Sequence, residues 1–234
     1  MTAQKEREVN LMAKDTFNYW CKTAWLKFSL LISGSMLIFI SINWNCWSSS
    51  LKCIAAIAAL VPVHATEEWI FPGGFAFQYN LFLNKSDYPN CYPMNRASDM
   101  ITVLGTTIMY ATITLYCAVR GVPVPAGILL GATCFSVLEV SVHTFFGIKA
   151  YFKFKDKGKS TIYGTGSMTA YTGFLILGII MLQEILHLGI SSFDIFLCVI
   201  ILAITSCLCF IPEIKFKDKN SPYAYSNSGY YENF

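Results

Sequence analysis

His64, Glu67 and Glu68 stand in the run 62–69 (PVHATEEW), inside a stretch apolar enough to cross a membrane. Positions three and four apart share one helix face, so an imidazole and two carboxylates can converge on one spot. Each charged group placed in hydrocarbon costs roughly 2.5–3.5 kcal/mol on insertion scales. Chains keep such groups where they pair, line a wet cavity or hold a metal. Glu139 and His143 repeat the four-residue spacing on another apolar stretch. Imidazole and carboxylate on successive turns are how helical bundles build metal sites, and nitrogen and oxygen donors suit zinc first and iron next. The expected centre is a divalent-metal site with His64, His143 and one or both of Glu67 and Glu68 as ligands, Glu67 first, and with Glu139 as a further ligand or an orienting partner. Glu68 and Glu139, where not ligands, then serve as the acid–base or orienting carboxylates. Two other readings stay open at this level: a buried network tying helices together, and a proton or substrate relay in a transporter.

The elements that must position these residues are membrane spans. Of the 234 residues, 55% are hydrophobic and 13% charged, against about 25% charged in soluble domains. Six apolar stretches approach the roughly 20 residues that a bilayer core requires, near 24–44, 53–71, 101–119, 123–146, 167–187 and 193–212. The expected fold is an all-α polytopic bundle over 24–212, with a short N-terminal segment (1–23) and a tail (213–234) whose tyrosine-rich end reads as disordered. Fifteen of the seventeen Lys and Arg fall on one side of this topology, leaving only Lys52 and Arg120 on the other. By the positive-inside rule both termini are cytoplasmic, and His64 and His143 both fall in the cytoplasmic half. The net charge of +3 then suits an anionic leaflet rather than nucleic acid. Cys46 and Cys53 bracket an outward loop, where they form a disulfide or remain free thiols. Glu184 and His187 have an attractive Glu-x-x-His spacing but fall some twenty residues into the fifth span, roughly 30 Å from the site end.

The loops beside the acidic pair add further candidates. Phe71-Pro72-Gly73-Gly74-Phe75 ends the second span, with Gln78, Tyr79 and Asn80 close behind. Asn95 or Ser98 is placed to cap the third span. Arg96 is placed to neutralise a carboxylate or grip a substrate anion. The glycine-containing run 163–169 (YGTGSMT) opens the fifth span and presents backbone N–H groups. Arg96 is therefore a candidate catalytic residue, and Asn80, Asn95 and Tyr163 are candidate substrate contacts.

His64-Ala65-Thr66-Glu67-Glu68, followed by Trp69-x-Phe-Pro-Gly-Gly-Phe, resembles the signature of the HXXEE-motif family of membrane proteins. The segment Tyr92-Pro93-Met94-Asn95-Arg96 and the downstream His143 are similar to members of that family, over about residues 55–185. Where this chain has 164–169, the family more often shows Asn-Pro-Gly. The resemblance implies a small bacterial-type polytopic protein of uncharacterised role with metal-binding or catalytic His and Glu residues, in a bacterial inner membrane. Taken with the residues, the expectation is a metal-dependent enzyme acting on a lipid-like or amphipathic small molecule at the cytoplasmic leaflet. Hydrolysis leads, with a metal-free acid–base isomerase and a proton-coupled transporter as alternatives. No second copy of the Pro-Gly-Gly break exists, which weighs against the inverted repeats of many transporters.

Overall fold

The computed structural model describes residues 12–234, apart from the side chain of Thr23. The first eleven residues, with Lys5 and Arg7 of the N-terminal segment, lie outside the described residues. Six long apolar helices occupy the chain: α1 (Trp25–Ile42), α2 (Ser49–Trp69), α3 (Arg96–Arg120), α4 (Ala126–Phe154), α5 (Ser167–Leu188) and α6 (Ser192–Phe216). Each is long and apolar enough to cross a bilayer, and no strand occurs among the described residues. The protein is an all-helical membrane bundle.

Helix limits follow local chemistry more closely than hydropathy. The Ser48 hydroxyl accepts from Leu51 N–H and starts α2 four residues before the apolar stretch suggests. Asn95 and Ser98 form a reciprocal capping box that starts α3 at Arg96. Ser191 and Asp194 do the same for α6. Pro62 sits inside α2 without a backbone N–H to donate.

The central helix α2 packs against α1, α3 and α5, while α4 packs against α5 and α6, and α3 against α6. Small residues set the closest approaches. A Cβ on Gly127 would fall 2.1 Å from the Asp194 carbonyl oxygen, and one on Gly131 would fall 2.8 Å from Ile201. These glycines press α4 against α6 at the end remote from His64. Thr102 Oγ1 donates to the Leu208 carbonyl at 3.0 Å and joins α3 to α6 nearer the site.

The tail departs from its expectation of disorder. Tyr225 stacks on Trp69 with centroids 4.3 Å apart, and its hydroxyl donates to Asp99 Oδ2 at 3.2 Å. Tyr231 is buried, with its hydroxyl on Gln78. Tyr230 N–H donates to the Gly73 carbonyl, and Lys159 Nζ donates to the Tyr230 hydroxyl at 3.0 Å. The tyrosines of the tail are the groups that fasten it over the end of the bundle. At the opposite end Glu184 accepts from Ser50 at 3.3 Å, His187 is exposed, and Cys46 and Cys53 are free thiols.

Candidate metal centre

Helices α2 and α4 run in the same direction, so their i,i+4 pairs meet at one depth. His64 Nε2 lies 3.3 Å from Glu68 Oε1 and 3.4 Å from Glu139 Oε2. His143 Nε2 lies 3.4 Å and 3.5 Å from the same two oxygens. The two Nε2 atoms are 3.1 Å apart. Zinc donors sit about 2.0–2.2 Å from the ion, so neighbouring corners of a zinc tetrahedron are separated by ~3.3–3.6 Å. The four histidine–carboxylate distances fall in that range, and the 3.1 Å between the two imidazoles is slightly shorter. His64, Glu68 and His143 are all buried, and the Glu139 side chain is the most exposed of the four at 20%.

Glu67 does not join this group. Its carboxylate points the other way and accepts from Tyr163 Oη at 2.9 Å, Met168 N at 3.0 Å, Thr169 N at 2.8 Å and Thr169 Oγ1 at 2.6 Å. It is the anionic cap of α5, supplied from a neighbouring helix to a positive N-terminus. The expectation of Glu67 as a ligand is thereby corrected: four donors already satisfy its two oxygens.

The same cap fixes His64. The Thr169 hydroxyl has a single proton to give, and its oxygen lies 2.6 Å from Glu67 Oε2 but 3.3 Å from the Gly166 carbonyl, so it donates to the carboxylate. Its oxygen can then only accept from His64 Nδ1, 2.7 Å away. Nδ1 thus carries the proton, and Nε2 faces Glu68, Glu139 and His143. Threonine ties the imidazole to Glu67, the arrangement by which an outer partner can orient a histidine for metal binding. Thr169 gave no signal in the sequence beyond its place in the loop. Tyr163 completes the support: burial, and then the neighbouring Glu67, push its phenol well above its usual pKa, so it remains a donor.

His143 is held by shape instead. Its Nδ1 is buried without a hydrogen-bond partner among the described residues. A Cβ on Gly166 would fall 2.1 Å from His143 Cε1, and Gly166 itself adopts φ +87°. Only glycine meets both demands, a left-handed backbone and a ring against Cα.

A cavity of about 490 Å³ adjoins the centre, lined by His64, Glu68 and Glu139 at its polar floor and mainly by apolar side chains elsewhere. Its rim includes Leu138, Phe145 and Phe210, which are exposed on the outer face of α4 and α6. The two helices pressed together at Gly127 and Gly131 part here, so the cavity opens sideways.

The remaining candidates have other duties. Arg96 lies over the Tyr225 ring, 5.3 Å from its centroid, and does not line the cavity. Asn80 spends its amide on the Pro89 and Met94 carbonyls and its oxygen on Met94 N–H. Asn95 caps α3 and donates to the Phe216 carbonyl at 2.8 Å. Tyr163 faces Glu67 rather than the cavity. None of these four residues lines the cavity: the side chains of Asn80, Asn95 and Tyr163 are hydrogen-bonded to loops, a helix end and Glu67, and Arg96 lies on a tyrosine face.

Comparison with curated proteins and with solved structures finds no match. A family model described as a protein of unknown function with HXXEE motif matches residues 55–181, more than half of the chain and inclusive of the whole His64–Glu68–Glu139–His143 group, so the chain belongs to that family.

Proposed function

We propose that this protein is a membrane-embedded, metal-dependent enzyme, with zinc the favoured ion, that hydrolyses a lipid-like or amphipathic small molecule. The observation that carries this reading is the convergence of His64, Glu68 and His143, all buried, with Glu139 beside both imidazoles, where His64, Glu68 and Glu139 face a laterally open, mainly apolar cavity. His64, His143 and Glu68 form the ligand set, the two-histidine, one-carboxylate pattern of catalytic zinc. Glu139 lies beside both imidazoles on the cavity side, where it would meet a substrate or water entering the site. Zinc held there supplies Lewis-acid polarisation of a carbonyl or of water. Glu139 Oε2 accepts the proton of the attacking water and returns it to the leaving group. Thr169 and Glu67 keep His64 in the ligating tautomer, and the phenylalanine walls exclude bulk water. The lysine distribution favours a cytoplasm-facing site, and the family likeness suggests a bacterial plasma membrane.

Metal content of detergent-purified protein tests the reading. We expect about one zinc per chain, lost in His64→Ala, His143→Ala and Glu68→Gln while helicity by circular dichroism is retained. A folded, metal-free wild type that takes up no zinc on titration would overturn it, leaving four groups that share protons as an acid–base isomerase site. Movement of an unaltered compound across liposomes would turn the reading to transport.

A further inference from the structure

The polar groups of the cavity are one-sided in charge. Its lining includes four carboxylates, Glu68, Asp99, Glu139 and Glu213, and among the described residues no lysine or arginine. Glu68 and Glu139 belong with the two histidines. Asp99 and Glu213 do not: Asp99 accepts from the Tyr225 hydroxyl at 3.2 Å, and Glu213 accepts from the Tyr79 hydroxyl at 2.7 Å. Both partners are neutral phenols. Burial, and then the adjacent carboxylate, raise each phenol above its ordinary pKa, so neither becomes a charged partner. Among the described residues no lysine or arginine forms an ion pair with Asp99 or Glu213.

Asp99 is buried and Glu213 half-buried; carboxylates withdrawn from water without a cation are costly, and a ligand that brings the cation relieves part of that cost. The rest of the wall suits the same ligand. Phe75, Phe135, Phe145, Phe146, Phe174 and Phe210 line the cavity, and aromatic faces attract an ammonium group as well as apolar chain. An anionic head, a phosphate or a fatty carboxylate, meets repulsion from every charged group along the wall outside the metal centre.

Resting on the metalloenzyme reading of the same site, we propose that the substrate is a membrane-soluble amine: an apolar chain or ring system with a protonated nitrogen that Asp99 and Glu213 pair. The amine end sits on the α3–α6 side of the cavity, and the remainder of the molecule extends past His64 and Glu139. Lateral entry delivers the apolar part first from the hydrocarbon, and the ammonium is desolvated only where the carboxylates meet it.

The test compares three probes of equal chain length, hexadecylamine, hexadecanol and hexadecanoate, by calorimetric titration into zinc-loaded protein in micelles of a neutral detergent, each corrected for its own partitioning into empty micelles. We expect the amine to bind at least about tenfold more tightly than the alcohol, with the carboxylate weakest. The double variant Asp99→Asn/Glu213→Gln brings the amine to the affinity of the alcohol and keeps its zinc stoichiometry. Equal binding of the three probes by wild type, tighter binding of hexadecanoate, or an undiminished amine preference in the double variant overturns the proposal. Wild type alone decides if the double variant fails to fold. Zinc bound without any amine preference ends this inference and leaves the metal centre standing. An amine preference in protein that takes up no zinc ends the metal reading and leaves this one.

Discussion

Replacing Thr169 by valine removes one hydroxyl and keeps the shape of the side chain, which isolates the link between Glu67 and His64. Two hydrogen bonds disappear, the 2.6 Å donation to Glu67 and the 2.7 Å acceptance from His64 Nδ1. Glu67 retains Tyr163 and two backbone N–H donors, so the cap on α5 survives. His64 loses the one hydrogen-bond partner its Nδ1 has among the described residues, and its buried Nδ1–H is left unsatisfied, at about 1–3 kcal/mol. Outer-partner losses at metal sites commonly cost 10–100-fold in affinity, or about 1.4–2.7 kcal/mol by the tenfold rule, which agrees with the hydrogen-bond figure. Zinc affinity of Thr169→Val, measured by competition with a chromogenic chelator, is therefore expected to fall 10–100-fold. Thr169→Ser should restore it to within a few-fold. Glu67→Gln combined with Thr169→Val should cost less than the two changes summed, because both act through one hydroxyl. Zinc affinity unchanged in Thr169→Val, with His64→Ala abolishing binding beside it, would refute the relay from Glu67 to His64.

Three further outcomes follow from other parts of the structure. Gly166→Ala places a methyl 2.1 Å from His143 Cε1 at a backbone φ of +87°; the left-handed conformation alone costs about 1–2 kcal/mol. The variant should lose both zinc and thermal stability, and a zinc-replete Gly166→Ala would show that His143 is not seated against that backbone. Val142→Trp adds bulk to the cavity wall without touching a ligand, so hexadecylamine binding should fall at least about tenfold at full zinc occupancy; retained probe binding would place the ligand elsewhere. Tyr163 and Tyr225 have phenols raised above the ordinary value by burial and by neighbouring acids. The stability they contribute is full below the ordinary tyrosine pKa of about 10 and is lost as pH rises through the folded values. Melting temperature should decline above about pH 10, and less steeply in Tyr163→Phe and Tyr225→Phe; identical slopes in all three proteins would remove these phenols from the account.

What the sequence makes legible depends on the range of the interaction that decides each point. The six helices come from composition, a property of each segment alone. The pairs His64/Glu68 and Glu139/His143 come from an i,i+4 rule that acts within one helix, and parallel topology carries them to one depth. Glu67 and Glu68 cannot be told apart in that way. One step along a helix turns the side chain by about 100°, and which carboxylate faces the histidines depends on where α5 begins, about a hundred residues later. Asn80, Asn95 and Arg96 misled for a related reason. Polar residues next to a site resemble binding residues until their hydrogen bonds are counted, and theirs end on carbonyls and a tyrosine face. The tail was least legible, because its tyrosines have no period of their own and their burial depends on Trp69, Asp99 and Gln78.

The sideways mouth between α4 and α6 changes what substrate concentration means for this protein. Rim residues Leu138, Phe145 and Phe210 are exposed on the outer surface of apolar helices, so on the function proposed above the solvent that delivers the ligand is the bilayer. Encounter frequency then depends on how many substrate molecules share each patch of lipid, not on how many share each litre of buffer. Adding inert phospholipid at fixed protein and substrate should slow turnover in proportion to the dilution in the plane of the membrane. Adding buffer should leave it unchanged, and a Michaelis constant for such a protein is a mole fraction.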